Sequence, residues 1–355
     1  MNLDDLPRMK ELDAGGMLGH IDRLPDQLES AWQAARKFPL EMTGDGIRHI
    51  LLAGMGGSGI GGALLAAYGD HIGTTPITVW RNYGLPAWAR SRDTLVIVAS
   101  HSGDTEEALS AYSEARHRGL PALAITSGGQ LAAEAQAASL PLWRFTFRAQ
   151  PRAAVGFLFL LPMACVTRLG LMPDPSAEIA AALTAMRDQQ AHLRAEIPVV
   201  HNPAKRMGGQ WMGRWVAVYG SDHLAPVARR WKTQIAEIGK AWAQYEELPE
   251  LDHNSVAGTL QPEELTGHYM LMFLRSSLAH ARNDLRARIT RELFMVQGFN
   301  TDEYQASGPN VLAHMLTALH FGDYSAFYLA MAYGIDPTPV ATIVELKSRL
   351  AGAGG

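Results

Sequence analysis

Four short apolar runs, each followed by a turn or a helical pattern, most constrain how the first half of this chain can fold. They are RHILLA at residues 48–53, ITVW at 77–80, TLVIVAS at 94–100 and ALAIT at 122–126. Near-continuous apolar strands that alternate with helices are typical of a parallel sheet covered on both faces. The sequence therefore predicts a doubly wound α/β lobe in this half.

The second half repeats the same organisation more faintly. WVAVYGS at residues 215–221 and HYMLMFLRSS at 268–277 have the composition of strands, and LAPVARRWKTQIAEIGK at 224–240 has that of a helix. We therefore expect two similar lobes, each a parallel sheet flanked by helices.

A break in the pattern separates the two halves. The sequence MPDPS at residues 172–176 interrupts the first lobe, and residues 177–195 then show helical periodicity. The expected domains are an N-terminal helical segment over residues 1–45, a first α/β domain over 46–175, and a linker helix, a second α/β domain and C-terminal helices over 176–355.

The composition is that of an ordinary soluble globular protein, with 47% hydrophobic and 19% charged residues. The chain has 31 basic and 35 acidic residues and a formal net charge of −4, so no basic excess indicates a nucleic acid or an anionic membrane as partner. The N-terminal sequence MNLDDLPRMKELDAGG has neither the basic start nor the apolar stretch of a signal peptide. We expect a cytoplasmic protein.

The single cysteine, Cys165, excludes a disulfide framework and favours a reducing compartment. It lies in the apolar run AAVGFLFLLPMACV at residues 153–166, which contains Pro162. The run is shorter than the roughly 20 residues that a membrane-spanning helix needs. We expect a buried core helix there, with Cys165 as a small buried side chain.

A glycine-rich turn follows the first predicted strand, in LLAGMGGSGIGG at residues 51–62. Gly54, Gly56 and Gly59 satisfy the G-x-G-x-x-G spacing of dinucleotide-binding folds. Those folds place an Asp or Glu about 20 residues later, where this chain reads WRN. An NADP-dependent oxidoreductase that uses Arg81 for the 2′-phosphate stays open, as does a tight bend that binds nothing.

Three hydroxyl side chains follow the third predicted strand, in SHSGDTEE at residues 100–107. Ser100, Ser102 and Thr105 surround Gly103 directly before a helix. Because the carboxyl ends of parallel strands meet at one edge, this loop and the glycine turn should be neighbours. Hydroxyls and amides at a helix N-terminus form a cradle for a phosphate monoester. Helix capping by Ser102 or Thr105 is the alternative, and it accounts for one hydroxyl of the three.

The glycine turn and the hydroxyl loop together resemble a sugar isomerase (SIS) domain. Four further stretches narrow the resemblance: VWRNYGLPAW, AITSGG, QPRAAVGFLFLLP and FGDYSAFYLAMAYGIDPTPVATIVELK. With them, most of residues 46–348 resembles the bifunctional phosphoglucose/phosphomannose isomerase family. The resemblance implies tandem SIS domains that interconvert fructose 6-phosphate with glucose 6-phosphate and mannose 6-phosphate through a cis-enediolate.

The resemblance also implies which residues bind the sugar phosphate and which catalyse. The binding residues are Gly56, Gly57, Ser58, Ser100, Ser102 and Thr105. Glu237, in WKTQIAEIGK, matches the proton-shuttling base, and His253, in LPELDHNSVAG, matches the ring-opening histidine. Arg152, in QPRAA, would place a permanent positive charge beside the enediolate. Without the resemblance, Glu237 would be read as a solvated glutamate on an amphipathic helix.

Some positions depart from the family pattern or match it ambiguously. Ile238 follows the base where Asn is expected, and Asp252 stands where Asn is common, but neither change removes a catalytic group. Lys347 fits a C-terminal lysine that assists ring opening. The threonine near the sugar is either Thr338 or Thr342, and we favour Thr338.

The resemblance implies no cofactor, and a homodimer in which the neighbouring subunit supplies His253. No HExxH or similar ligand pair occurs among the 13 histidines, so a zinc-dependent mechanism is disfavoured and no metal is expected. The expected partners are a sugar-phosphate substrate and a second copy of the chain. A SIS-domain sensor that binds a sugar phosphate without turnover remains an alternative; it would not need Glu237 or His253.

Overall fold

The computed structural model describes residues 2–353, and it contains two parallel sheets. The first sheet has the order β2-β1-β3-β4-β5, with β1 (His49–Ala53), β2 (Ile77–Trp80), β3 (Thr94–Ser100), β4 (Ala122–Thr126) and β5 (Leu142–Arg144). The second has the order β7-β6-β8-β9, with β6 (Trp215–Ser221), β7 (Ala243–Leu248), β8 (Tyr269–Arg275) and β9 (Asn300–Gln305). All neighbouring strands pair in parallel, which confirms the predicted α/β architecture.

Helices cover both sheets. They are α1 (Leu6–Leu12), α2 (Met17–Asp22), α3 (Leu24–Ala35), α4 (Gly56–Ile72), α5 (Glu106–His117), α6 (Gly129–Ala137), α7 (Val155–Arg168), α8 (Ser176–Gln190), α9 (Pro203–Gln210), α10 (Ala225–Glu237), α11 (Ala281–Val296), α12 (Val311–Tyr333) and α13 (Ala341–Ala353).

The strands that the sequence predicts include all those in the middle of the two sheets, together with β2 at an edge of the first sheet. Every residue of β3 is buried, as are all residues of β6 except the first. Three strands were not predicted: β5 with the sequence LWR, β7 with AQYEEL and β9 with NTDEYQ. All three lie at sheet edges, β5 in the first sheet and β7 and β9 in the second. At such edges polar side chains reach solvent and the apolar pattern is lost.

Two predominantly apolar helices, α7 and α12, lie in the main hydrophobic core. In α12, every residue from Val311 to Ala332 is buried. The predicted core helix is α7, and Cys165 within it is buried. Within residues 2–353, one segment, Pro151–Arg168, is long and apolar enough to span a membrane, and 72% of it is buried inside the fold. That burial is the pattern of a core helix.

Glycines let α4 pack between the two lobes. A Cβ atom on Gly62 would lie 2.5 Å from Cδ2 of Leu52 in β1, and one on Gly61 would collide with the carbonyl of Leu158 in α7. The same helix contacts α10 of the second lobe. The glycine-rich sequence therefore allows α4 to pack closely against β1 and α7 while it also contacts the second lobe.

Buried histidines should make the fold sensitive to acid. The His320 side chain on α12 is 0% exposed, and its Nε2 donates to the carbonyl of Ile21 at 2.8 Å. Burial lowers the pKa of His320 from 6.5 to about 4. Because the unfolded chain takes up this proton first, folding stability contributed by His320 is complete above pH 6.5 and is lost as the pH falls towards 4.

We predict that lowering the pH from about 7 to about 5 reduces the free energy of unfolding by about 2 kcal/mol through this one histidine. Urea denaturation of wild type and His320→Gln at both pH values measures it. Glutamine can keep a donor towards Ile21 but cannot take up a proton. The wild type should lose more stability than the variant, and equal losses would contradict the assignment.

Candidate active site

The glycine turn and the hydroxyl loop lie side by side at the carboxyl edge of the first sheet. They follow β1 and β3, which are hydrogen-bonded neighbours. A Cβ atom on Gly54 would lie 2.9 Å from the carbonyl oxygen of Ala99. Helix α4 then begins at Gly56, so its first-turn amides face the same edge. The structure thus brings together the two loops that the sequence predicts to be neighbours.

The hydroxyl loop is held in shape by its own side chains. Ser100 is buried, donates to Oγ1 of Thr105 at 3.1 Å and accepts from the amide of Gly103 at the same distance. The Oγ of Ser102, which is exposed, accepts from the amide of Asp104 at 3.2 Å. Thr105 precedes α5 but makes no side-chain cap hydrogen bond. The helix-capping interpretation therefore does not account for Thr105.

Arg152 is buried directly beside the glycine turn. A Cβ atom on Gly57 would lie 2.8 Å from the carbonyl of Pro151, so only glycine allows the turn to approach the 3-10 helix Pro151–Ala154. The Arg152 side chain is 2% exposed, and its Nη2 donates to the carbonyls of Pro337 at 2.9 Å and Thr338 at 2.5 Å.

Two nitrogens of this guanidinium group are left for another acceptor. Among residues 2–353, Nε and Nη1 of Arg152 are buried and have no hydrogen-bond partner. Burial lowers the pKa of Arg152 from its ordinary value, and the nearby carboxylate of Glu237 opposes that shift. Arginine stays protonated in proteins. A buried, charged donor with free N–H groups is suited to bind an anionic oxygen.

Glu237, the last residue of α10, faces Arg152 from the second lobe. Its Oε2 lies 3.7 Å from Nη1 of Arg152, and its side chain is 26% exposed. The two groups attract each other electrostatically but are too far apart for a hydrogen bond. Two of the predicted catalytic residues, far apart in the sequence, therefore meet at one site.

Sequence analysis missed Lys240, which lies in the same site. Its Nζ donates to the carbonyl of Glu237 and to the carbonyl of Pro337 at 3.2 Å. Burial and the charge of Arg152 lower the pKa of Lys240 to about 8. The available signal was its position three residues after the predicted base, in AEIGK. Asp336 adds a second carboxylate that interacts with both cations.

Of the C-terminal residues considered for contact with the sugar, only Thr338 contacts Arg152. Thr338 reaches it through its carbonyl, whereas its side chain packs on Gly15 and its Oγ1 is buried without a partner among residues 2–353. Thr342 and Lys347 are exposed on α13. A single chain therefore leaves Lys347 outside the site.

His253 lies at the other end of the second sheet from Glu237. The base precedes β7, whereas His253 ends the 3-10 helix Glu250–His253 that follows β7. The six residues of this strand span about 20 Å. His253 is exposed, and its neighbour Asp252 accepts hydrogen bonds from Thr290 at 2.7 Å and Arg286 at 3.0 Å. One chain therefore does not bring His253 to Glu237.

At the corresponding edge of the second sheet, polar side chains hydrogen-bond to one another and to the backbone. Asp222, whose φ is +51°, accepts hydrogen bonds from the amide of His280 at 3.2 Å and from Nδ2 of Asn283 at 3.1 Å. Ser276, after β8, lies between Nε2 of His223 at 2.9 Å and Nδ1 of His314 at 2.7 Å. These polar groups therefore already have partners within the protein.

Other ligand classes find less support in the geometry. Arg81, considered for a dinucleotide phosphate, donates to the carbonyl of Gly59 at 2.9 Å inside α4. Throughout residues 2–353, no group of three or more His, Cys, Asp or Glu side chains is placed to hold a metal ion.

Comparison with known proteins identifies the family. Residues 46–141 match the SIS domain, and residues 200–350 match the bacterial phospho-glucose isomerase C-terminal SIS domain. The chain is 34% identical over 338 residues to the bifunctional phosphoglucose/phosphomannose isomerase of Caldicellulosiruptor bescii, covering 94% of this chain and 99% of that protein. This chain belongs to the bifunctional phosphoglucose/phosphomannose isomerase family.

A second relative agrees with that membership, and a solved structure agrees with the fold. A bifunctional phosphoglucose/phosphomannose isomerase of Aquifex aeolicus is 32% identical over 302 residues, which are 85% of this chain and 90% of that protein. A crystal structure of a hypothetical protein from Thermus thermophilus superimposes with a TM-score of 0.73 over 98% of this chain and 94% of that one, at 16% identity. The family resemblance and the tandem SIS domains expected from the sequence are thereby confirmed.

A buried ion pair supports Arg152 from behind. Arg230 of α10 contacts Asp323 of α12 through two hydrogen bonds, Nε to Oδ1 at 3.0 Å and Nη2 to Oδ2 at 2.6 Å. Nη2 of Arg230 also donates to the carbonyl of Arg152 at 3.2 Å. Since both partners are almost fully buried, removing one leaves the other as an uncompensated charge.

We predict that Asp323→Asn lowers the unfolding free energy by about 3–5 kcal/mol, the usual cost of breaking a buried pair. Urea denaturation measures this loss. In the control, Arg230→Met combined with Asp323→Leu, no charge remains unpaired, so a large part of the stability should return. A double variant less stable than Asp323→Asn would show that the loss has another cause.

Proposed function

We propose that this protein interconverts fructose 6-phosphate with glucose 6-phosphate and mannose 6-phosphate without a metal ion or cofactor. The observation that carries the proposal is the placement of Arg152 beside Glu237. A buried guanidinium with two unpartnered nitrogens lies 3.7 Å from a half-buried carboxylate, next to a loop suited to phosphate. Family membership supplies the substrate class.

In this proposal the hydroxyl loop binds the phosphate. The hydroxyls of Ser100, Ser102 and Thr105 and the amides at the start of α4 offer donors to its oxygens. Gly56, Gly57 and Ser58 lie between this loop and Arg152, so the glycine turn would contact the sugar. The substrate would then extend from the carboxyl edge of the first sheet towards Glu237 on the second lobe.

The chemistry follows from the two facing charges. Glu237 removes a proton from C1 of the open-chain ketose, and the electron pair of that C–H bond forms the C1–C2 double bond. Negative charge develops on O2, where the unpaired N–H groups of Arg152 stabilise it. Glu237 returns the proton to C2, and the proton on O1 passes to O2 as the C1 carbonyl forms.

One base can supply both products because glucose and mannose 6-phosphates are C2 epimers that share this enediolate. Rotation of the intermediate about C2–C3 presents either face of C2 to Glu237. We expect Thr338, whose backbone already contacts Arg152, to lie near the sugar and influence this choice.

Ring opening would require a second copy of the chain. His253 suits this step because imidazole both gives and takes a proton near neutral pH. Its own Glu237 lies beyond the length of β7, so we propose that His253 serves the site of the partner in a homodimer. Lys347 would assist once α13, which has no buried residue in a single chain, packs over the site.

We predict that Glu237→Gln abolishes formation of both glucose 6-phosphate and mannose 6-phosphate, lowering kcat by about 10²-fold or more, as expected for loss of a general base. The assay uses protein treated with EDTA, supplies fructose 6-phosphate and resolves the two products. The exposed Glu292→Gln is the matched control and should leave both rates unchanged.

If wild type binds fructose 6-phosphate but forms neither product, the protein is a sugar-phosphate sensor and not an isomerase. Tight binding of NADPH in a fluorescence titration, without isomerase activity, would favour the oxidoreductase.

A second prediction tests whether the partner supplies His253. Glu237→Gln and His253→Asn should each be inactive, but unfolding and refolding an equal mixture should restore about a quarter of wild-type activity, since half the dimers are mixed and each has one intact site. If Glu237 and His253 act within one chain, the mixture stays inactive. Refolding each variant alone is the control.

A further inference from the structure

We infer that Lys240 is a positioning residue for this isomerisation: its ammonium group joins the end of α10, which carries Glu237, to the carbonyl that holds Arg152. The inference rests on the proposed function and adds to it a residue that neither the sequence motifs nor the family resemblance assigned.

The carbonyl of Pro337 links the Arg152 side chain to Lys240, which lies just after the helix that carries Glu237. It accepts a hydrogen bond from Nη2 of Arg152 at 2.9 Å and another from Nζ of Lys240 at 3.2 Å. Lys240 also donates to the carbonyl of Glu237 itself. The arginine of the first lobe and the base of the second therefore share one acceptor through Lys240.

The backbone of Lys240 shows that a side chain is kept here at a conformational cost. Its φ is +53°, in the left-handed region that glycine adopts most readily, just after the end of α10. A non-glycine residue in this region costs about 1 kcal/mol or more. Glycine would end the helix with less strain, so the ammonium group is the feature that distinguishes lysine at this position.

The charges around Lys240 favour a positioning role over direct contact with the phosphate. Arg152 from the 3-10 helix Pro151–Ala154, Glu237 from α10 and Asp336 from the segment after α12 all act on its charge. Two cations, Lys240 and Arg152, thus interact with two carboxylates, those of Glu237 and Asp336. Burial lowers the pKa of Lys240 to about 8, so this side chain loses its proton above about that pH. The carbonyls of Pro337 and Glu237 then no longer have a charged donor.

The consequence for catalysis is geometric. Glu237 and Arg152 would both face the reacting carbons, and a displacement of about 1 Å at such a site costs roughly 10²-fold in rate. Within residues 2–353 the hydrogen bonds of Lys240 are to backbone carbonyls, so its loss should affect kcat more than the affinity for the sugar phosphate.

The experiment compares Lys240→Gly and Lys240→Met with Lys232→Met, a lysine on α10 outside the site. Lys240→Gly removes the ammonium group and also the backbone strain, so its melting temperature should be at least that of wild type. We expect kcat for both products to fall about 10- to 100-fold in the two Lys240 variants. KM for fructose 6-phosphate should change less than about threefold, since phosphate binding is untouched.

Two further readouts separate positioning from a merely structural role. The wild-type kcat should decline above about pH 8, and this decline should disappear in Lys240→Met. Ethylammonium ions added to Lys240→Gly should restore part of kcat and leave the control variant unaffected. Lys240 variants with kcat within twofold of wild type and an unchanged pH profile would overturn the inference alone. Wild type without any turnover would overturn the proposed function, and the inference with it.

Discussion

The buried guanidinium group of Arg152 is the interaction on which the rest of the site depends. It is anchored by two carbonyls of the segment after α12, it faces the carboxylate that ends α10, and the glycine turn packs against the backbone beside it. Each contact comes from a different part of the chain. The charge could not be buried alone, because desolvation disfavours it strongly unless donors and acceptors surround it. In the proposed function, the N–H groups that these acceptors leave free would bind the anionic reaction intermediate.

Buried polar groups near Arg152 form hydrogen bonds between the two lobes and the N-terminal helices. Arg230 and Asp323 pair behind Arg152, and Arg230 donates to its carbonyl. On the same helix as Asp323, His320 stays neutral and donates to Ile21 of the N-terminal helices. Such groups add little net stability over an apolar core, but each fits only one arrangement of its neighbours. The network therefore determines how α10 and α12 stand relative to the glycine turn.

The four strands of the second sheet have the same order as the first four strands of the first sheet, but the two carboxyl edges differ. At the first edge lie the glycine turn at the start of α4 and the hydroxyl loop after β3. At the second edge, the Asp222 carboxylate accepts hydrogen bonds from His280 and Asn283. The second lobe contributes instead through the opposite end of its helix α10, where Glu237 and Lys240 lie. In the proposed function, the first lobe would supply the binding edge and the second lobe the base.

Sequence alone determined the features that arise from local pattern: the apolar central strands, the glycine turn, the hydroxyl loop and the core helix around Cys165. It also pointed to Arg152 and Glu237, through motifs that resemble a family. Edge strands such as β9 were missed because their outer side chains face water and lose the apolar period.

Only the tertiary structure decided that Arg152 meets Glu237, that Lys240 joins them, and that His253 lies a strand's length away. The physical reason is that these relations depend on how α4 and α10 pack against each other, which is a property of shape and buried polarity between distant segments. Residue types and spacings determine which elements form. The distances between the reacting groups are set by the packing of those elements.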